Sequence, residues 1–482
     1  MRQTRWLWIF LPLLLAAGCE TPDLAGIRSD HAGAELAELQ RRSAPVSGPL
    51  SLERAIEIAL ANNLDYALAR FEGRIQEEAA RGAWLALLPR GETDLQYEGM
   101  NRLRIASSEA ADSGRTSLEP SFSTERDQKT HNFEVVFSLL DFGISYFRAR
   151  QADNLVLVEE EQARRAAQNL VHDVTRTYYR ALVAERAARE SESLAHRLTE
   201  RQKVVEEQMR QKLVNELEGF KNQEALVLVW TRIQEFQREL KDAKSELATL
   251  LGFAPGMDFE FASVPFETPP PAVSLDSVAL EAEALRKRPE LWEGDLQELI
   301  AADEIRARIA SLFPNIEGFF GGHYDDNRFL RHQFWLAGGA RVSWELFDLP
   351  RKLSDLDRAE LGEDLVVQRR MALAMAIVAQ VHVAAMGYED ALQQYQLARS
   401  LSELRERRLD ASRHYLSQGQ LDDWSVLQAE SDATFARLRY LDAYAQVVIS
   451  RQRVETAVGR GGPPRTVEVS SWAEANRVRE GG

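Results

Sequence analysis

The sequence predicts a mainly α fold with membrane β: long coiled-coil-like helices joined to four strands that a single chain cannot close into a barrel. Three observations predict it. Residues 143–211 and 350–418 contain no proline after their first position and consist mostly of strong helix formers. Before each of these stretches the apolar pattern switches from helical spacing to strict alternation over two runs of about ten residues. The whole arrangement occurs twice along the chain.

The function classes narrow early. Of 482 residues, 59 are Lys or Arg and 75 are Asp or Glu, a net charge of −16. That balance argues against gripping nucleic-acid phosphate, which needs a basic surface. A single cysteine, Cys19, rules out a disulfide framework and any Cys-based zinc site. The eight histidines never pair at ligand spacing. No H-E-x-x-H, G-x-S-x-G, P-loop or G-x-G-x-x-G is present. No metal, cofactor or catalytic group is expected. The acidic pair Asp325 and Asp326, the one arrangement that would suit a hydrolase, has no partner at a telling spacing and reads as a polar loop.

The N-terminus carries an export signal. Arg2 and Arg5 precede the apolar run 6–17, which is too short for a helix spanning a bilayer. The sequence Leu15-Ala16-Ala17-Gly18-Cys19 resembles a bacterial lipoprotein signal, which is cut before a cysteine that then carries lipid. On that reading 1–18 is the signal, Cys19 the lipidation site and 19–49 an irregular, lipid-anchored linker. Glu20 in place of Asp permits the outer membrane.

The repeat is visible as two offsets. Residues 62–66 align with 287–291, and Leu88-Pro89 with Phe313-Pro314, at a separation of 225. Further on the separation is 207, placing Asp141 on Asp348, Val174 on Val381 and Gly252 on Gly459. One change of offset means two copies, with a longer insertion in the first at about 101–130, whose Ser, Thr and charge read as a solvated loop. The copies are 50–253 and 275–459. Between them 254–274 is proline-rich, a linker composition, and 460–482 reads as an irregular tail.

Each copy reads helix, hairpin, long helix, helix. In the first, 51–87 has helical periodicity with Ser51 as cap, and Pro89 ends it as Pro314 does in the second. A hairpin over about 91–140 puts Thr93, Leu95 and Tyr97 on one face, with Phe133, Val135 and Phe137 sharing a face on the return. A second, at about 315–347, aligns Ile316, Phe320 and Tyr324, and then Phe334, Leu336, Val342 and Trp344. Strands of this length with one apolar and one polar face fit the wall of a membrane barrel. If the apolar face meets lipid, Glu92, Asp94, Glu98 and Glu134 line a lumen. Tyr97, Tyr324, Trp335 and Trp344 are candidates for the membrane interface. Four strands cannot close a barrel, and an open edge is not permitted in a bilayer, so several chains must share one: two give eight strands, three give twelve. The Ala- and Met-rich window 371–387 is interrupted by Gln380 and His382 and reads as a helix packed on neighbours.

The lipoprotein signal, the opening from Leu52 to Asn63, the Leu-Pro turn into a hairpin, the entry Leu139-Leu140-Asp141-Phe142-Gly143 and the ending Leu250-Leu251-Gly252-Phe253-Ala254-Pro255-Gly256 together resemble the TolC-type outer membrane efflux proteins, over about 50–460. The resemblance implies a homotrimer with a shared twelve-stranded β-barrel in outer membrane lipid, continued by an α-helical barrel in the periplasm. It implies a passive exit duct of a tripartite efflux or secretion system, working with a periplasmic adaptor protein and an inner-membrane pump. The periplasmic tip is then expected at Lys212, Leu213, Val214 and Asn215 and at Gly419, Gln420, Leu421, Asp422 and Asp423. The family usually has Gly where Lys212 stands, and Ser425 and Gln428 stand where some relatives place an aspartate ring. Asp422 and Asp423 either form an acidic ring or cap the following helix. The competing expectation is a lipid-anchored periplasmic coiled-coil scaffold without a pore.

Overall fold

The computed structural model describes residues 23–41, 48–116, 119–212, 216–254, 256–257 and 259–464. The signal peptide, Cys19, the tip residues Leu213, Val214 and Asn215, and 465–482 lie outside the described residues. In chain order the elements are α1 (Leu24–Arg41), α2 (Leu52–Asn62), α3 (Leu64–Leu85), β1 (Arg90–Gly99), β2 (Asp127–Ser138), α4 (Leu139–Arg210), α5 (Glu216–Leu250), α6 (Ser277–Lys287), α7 (Pro289–Ala310), β3 (Asn315–Asp325), β4 (Phe334–Ser343), a short 3-10 turn (Leu346–Asp348), α8 (Leu349–Ser417) and α9 (Asp423–Ala457).

The chain divides into two compact units, and neither coincides with a sequence copy. The first takes Met1–Asn63, Asp173–Pro270 and Tyr395–Ala445; the second takes Leu64–His172, Pro271–Gln394 and Gln446–Gly482.

In the first unit, Ser51 caps α2 by accepting from the Arg54 N–H at 3.2 Å. The single helix expected over 51–87 is instead two. Asn63 leaves the helical region at φ −62°, ψ 128°, and its side-chain amide donates to the Leu250 carbonyl at 3.2 Å. α5 ends in a Schellman motif: the Gly252 N–H reaches the Thr249 carbonyl and the Phe253 N–H reaches the Ala248 carbonyl. Gly252 has φ +75°, and a Cβ there would lie 2.5 Å from the Asn62 carbonyl oxygen, so only glycine fits both the conformation and the close approach.

The proline-rich segment is not a free linker. Leu50 forms a parallel bridge to Phe261, Phe259 and Phe266 are buried, and the Tyr440 hydroxyl donates to the Phe266 carbonyl at 2.6 Å. Buried aromatic anchors therefore strap it to the helices. The helical pairs pack through stripes at coiled-coil spacing: Leu194, Leu198, Leu226, Ile233 and Leu427 form one cluster, and Leu409, Val426, Ala429 and Ala433 another. Fully burying one such leucine contributes about 1.5–3 kcal/mol. α1 is a departure from the expected irregular linker. It is an 18-residue helix with no buried residue.

In the second unit, Pro289 forces Arg288 to extended geometry (φ −63°, ψ 127°) and begins α7. Gly459, φ +81°, ends α9 as Gly252 ends α5, with a Cβ there 2.9 Å from the Lys287 backbone carbon. The four strands form one antiparallel sheet in the order β1-β2-β3-β4. The helices beside it follow the same order. The Trp84 indole on α3 donates to Asp153 on α4 at 3.0 Å, Gln151 on α4 donates to the Ile300 carbonyl on α7 at 3.2 Å, and Arg370 on α8 pairs with Asp295 on α7 at 2.6 Å. The loop between β1 and β2 is less irregular than its composition, with bridges Ala106–Ser121 and Glu109–Thr116.

α8 contains a window long and apolar enough to cross a membrane by length and composition alone. Within it Ile377, Val381 and Ala384 are buried at helical spacing, followed by Tyr388, so one face of 371–387 packs inside the unit.

Candidate functional site

The sheet register sorts every strand residue onto one of two faces. Glu92 lies opposite Glu134, Asp94 opposite Asn132 and Glu98 opposite Gln128. Because side chains alternate, all four singled-out carboxylates share one face. Their row continues through Gly321, His323 and Asp325 on β3 and Ala337 and Trp335 on β4. Glu317 and Arg341 pair on this face at 3.3 Å, and His323 stacks on Trp335 with ring centroids 5.5 Å apart. Like charges directly opposite each other, as at Glu92 and Glu134, are unfavourable unless water or counterions reach them.

The other face is apolar. Thr93 pairs with Phe133 and Leu95 with His131, Val135 with Phe320, and Gly322 with Leu336 and Tyr324 with Phe334. Leu95 is 74 % exposed, Leu336 62 % and Phe133 54 %. A soluble sheet packed on a helix would cover these side chains. Here the apolar face is left open, and the two outer strands, β1 and β4, have one unpaired edge each. Trp335 belongs to the polar face rather than to the apolar one. The alternation of β4 carried that information, because Trp335 stands between Phe334 and Leu336.

The helix-to-helix turns in the first unit are built as C-terminal caps. α8 ends in a Schellman motif, with the Gly419 N–H on the Leu416 carbonyl and the Gln420 N–H on the Tyr415 carbonyl, both at 2.9 Å. Gly419 has φ +70° and Lys212, 207 residues earlier, has φ +56°. Lys212 therefore adopts the left-handed conformation that glycine would adopt more cheaply, with its N–H on the Met209 carbonyl at 3.1 Å. Asp422 caps α9, accepting from the Ser425 N–H at 3.2 Å. The Ser425 hydroxyl bonded to it holds the Asp422 carboxyl below its ordinary range. Asp423 is exposed in the first helical turn, and Leu421 is half-buried.

Sequence reasoning did not single out the polar clasp along the helices that lead to this turn. Glu430 pairs with Arg197, Asp432 with Arg405 at 2.5 Å and Arg408 at 3.3 Å, and Glu190 with Arg437 at 3.3 Å. Next to it a groove of about 340 Å³ is lined by Leu198, Val229, Trp424 and Leu427. Each partner looks like an ordinary charged residue on a helix face, so no local signal marks the pairing. Among the described residues, no group of three or more His, Cys, Asp or Glu side chains is placed to hold a metal ion.

No protein-family model matches the sequence, and no curated protein is similar to it in sequence. Solved structures are similar in fold. The outer-membrane channel OprN superposes with a TM-score of 0.69 at 17% identity, covering 85% of this chain and 90% of that one. The Campylobacter jejuni CmeC outer membrane channel gives 0.69 at 13% identity and 88% of both chains. The Neisseria gonorrhoeae MtrE outer membrane channel, in its open state, gives 0.67 at 18% identity, covering 85% and 89%. The chain has the TolC-type channel fold. Within that fold the open-edged sheet and the long paired helices account for its two kinds of surface, an apolar sheet face and polar turns. At these identities the likeness speaks for architecture, so activity rests on the site itself.

Proposed function

We propose that the chain is the outer membrane exit duct of a tripartite efflux or secretion system, a passive conduit rather than an enzyme. The observation that carries this reading is the sheet: four strands, unpaired at both edges, with every carboxylate of interest on one face and an exposed apolar band on the other. Such a sheet is stable in a bilayer only when copies of the chain complete it. The order of elements supports a head-to-tail ring. The outer helix α3 exposes Leu64, Leu68, Phe71 and Ile75, and the outer helix α8 exposes Leu361, Leu365, Met371 and Met375. Both stripes have helical spacing, so α3 of one copy fits α8 of the next as β1 fits β4. Three copies give the twelve strands that the fold resemblance implies.

In that assembly Glu92, Asp94, Glu98 and Glu134 line the lumen and favour cationic over anionic solutes. Cys19 carries the lipid that holds the N-terminus at the outer membrane. The turns at Lys212 and at Gly419, Gln420, Leu421, Asp422 and Asp423 meet the periplasmic adaptor, beside the groove at Trp424, and Leu213, Val214 and Asn215 complete that tip. The energy for transport comes from an inner-membrane pump. The test is native mass spectrometry of the detergent-extracted protein together with planar-bilayer recording. Trimers that conduct ions are expected. A monomer that leaves the membrane with salt would replace this reading with the lipid-anchored scaffold.

A further inference from the structure

Trp335 is out of place for its face. The polar side of the sheet carries carboxylates and amides, yet this indole projects from it and is 42 % exposed. A second ring shares the face. Phe319 on β3 lies opposite Val136 on β2 and Gly339 on β4. A Cβ at Gly339 would come within 2.8 Å of the Phe319 ring, so that ring reaches across β4. Between the two rings stand only small residues, Ala337 on β4 and its partner Gly321 on β3. Gly321 must stay bare, because a Cβ there would lie 2.6 Å from the Phe133 carbonyl oxygen. The result is a recess with Ala337 and Gly321 as its floor, Trp335 as one wall and Phe319 as the other. We propose that this recess is a binding station for aromatic organic cations passing along the duct, with the guest's ring between Trp335 and Phe319 and its charge toward Glu134 and Glu92. The proposal rests on the channel reading, in which this face lines the lumen.

Three observations point to this occupant. First, the spacing suits a ring. Same-face neighbours on a strand are about 7 Å apart, so a guest over Ala337 lies within reach of both walls, aromatic pairs being favourable at about 4.5–7 Å between centroids. Second, the wall at Trp335 is braced. His323 stacks on it with an angle of 22° between the rings, and His323 Nδ1 lies 3.0 Å from the Asn132 side-chain oxygen. An indole held in this way loses little freedom when a guest stacks on its open side. Third, the charge beside the floor is negative. Glu134 lies opposite Gly321 and Glu92 opposite Glu134. The two guanidinium groups of this face are already paired, Arg90 with Asp141 at 3.4 Å and Arg341 with Glu317 at 3.3 Å. A cation is therefore favoured, and an aromatic one gains stacking and cation–π contacts that a bare ion or an alkylammonium cannot match.

Planar-bilayer recording of the full-length protein tests this with two probes of equal charge. Ethidium is planar and aromatic; tetraethylammonium has no ring. Ethidium is expected to half-block the wild-type channel at a concentration at least about tenfold lower, the combined size of two aromatic contacts. Trp335→Leu and Phe319→Leu should each raise the ethidium half-block concentration about two- to tenfold and leave the tetraethylammonium value and the unblocked conductance unchanged. Trp335→Phe should keep most of the preference, and Glu134→Gln should weaken block by both probes. Equal block of the wild type by the two cations, or an ethidium value unaltered in both leucine variants, would overturn the proposal. A wild-type protein that conducts without preferring ethidium defeats this inference alone; one that forms no channel defeats the channel reading with it.

Discussion

Glu293→Gln should stabilise the protein at neutral and alkaline pH and leave it unchanged in acid. Glu293 lies on α7 and is 9 % exposed. Burial pushes its carboxyl up to about 7, opposed by Arg165 and reinforced by the charges of Glu290, Glu161 and Glu159. The nearest cation is the Arg165 guanidinium on α4, at 3.7 Å, too far for a good hydrogen bond, and Oε1 of Glu293 accepts none. The native state therefore holds this proton more tightly than the unfolded chain. The group's stabilisation is fully present below about pH 4.5, its ordinary value, and is lost as pH rises through about 7. A rise of that size corresponds to about 3 kcal/mol. For a chain of this length that is roughly 3 °C in melting temperature. The assay is thermal unfolding of the detergent-solubilised protein from pH 4 to pH 9, wild type against Glu293→Gln. The expected curves coincide at pH 4 and separate with rising pH, the variant melting higher. A variant that melts lower at pH 8 would show that the Arg165 contact outweighs desolvation and refute the reasoning.

Four further outcomes are expected. Gly252→Ala and Gly459→Ala should each cost at least about 1–3 kcal/mol, since each meets backbone atoms and needs a left-handed residue; unchanged melting of either would contradict the close approach. Lys212→Gly should stabilise its turn by about 0.5–1 kcal/mol, seen as slower hydrogen exchange at the end of α4. Phe133→Arg should cost about 2–4 kcal/mol if its face meets lipid near the bilayer midplane and reduce assembly in the outer membrane fraction, whereas Glu134→Phe alters conductance first. Asp422→Ala should loosen the start of α9 by about 1 kcal/mol, whereas Asp423→Asn should leave stability alone and lower cation selectivity in bilayer recordings; unaltered selectivity removes any acidic ring.

The strands were legible because alternation is a local signal: counting along β1 and along β2 puts Glu92 and Glu134 on the polar face of each strand, whereas the register that sets them opposite one another is seen only in the structure. The long helices were legible from the absence of proline and the run of strong helix formers. What escaped depends on distant partners. α2 stops at Asn63 because the Asn63 amide finds a carbonyl 187 residues away, which no window of local sequence contains. Phe259 and Phe266 are anchors inside a proline-rich stretch whose composition alone resembles a free linker. Glu293, one acidic residue among several on α7, reads as solvated until α4 packs over it. Lys212 shows the opposite case, a residue that its position marked as unsuited and that nonetheless takes the left-handed conformation. The clasp of Arg197, Glu430 and Asp432 is invisible for the same reason as Glu293, since the partners in each ion pair lie on separate helices.

The central claim, that the open sheet becomes a membrane wall with a wet inner face, is tested most directly by single cysteines at each position from 128 to 137, with Cys19 replaced by serine. The protein would be reconstituted in liposomes and treated with a charged, membrane-impermeant thiol reagent. Rapid labelling at 128, 130, 132 and 134 with protection at 131, 133 and 135 is the expected result, because those sets face the lumen and the lipid. Equal labelling of 131, 133 and 135 with their neighbours would place both faces in water and contradict the channel.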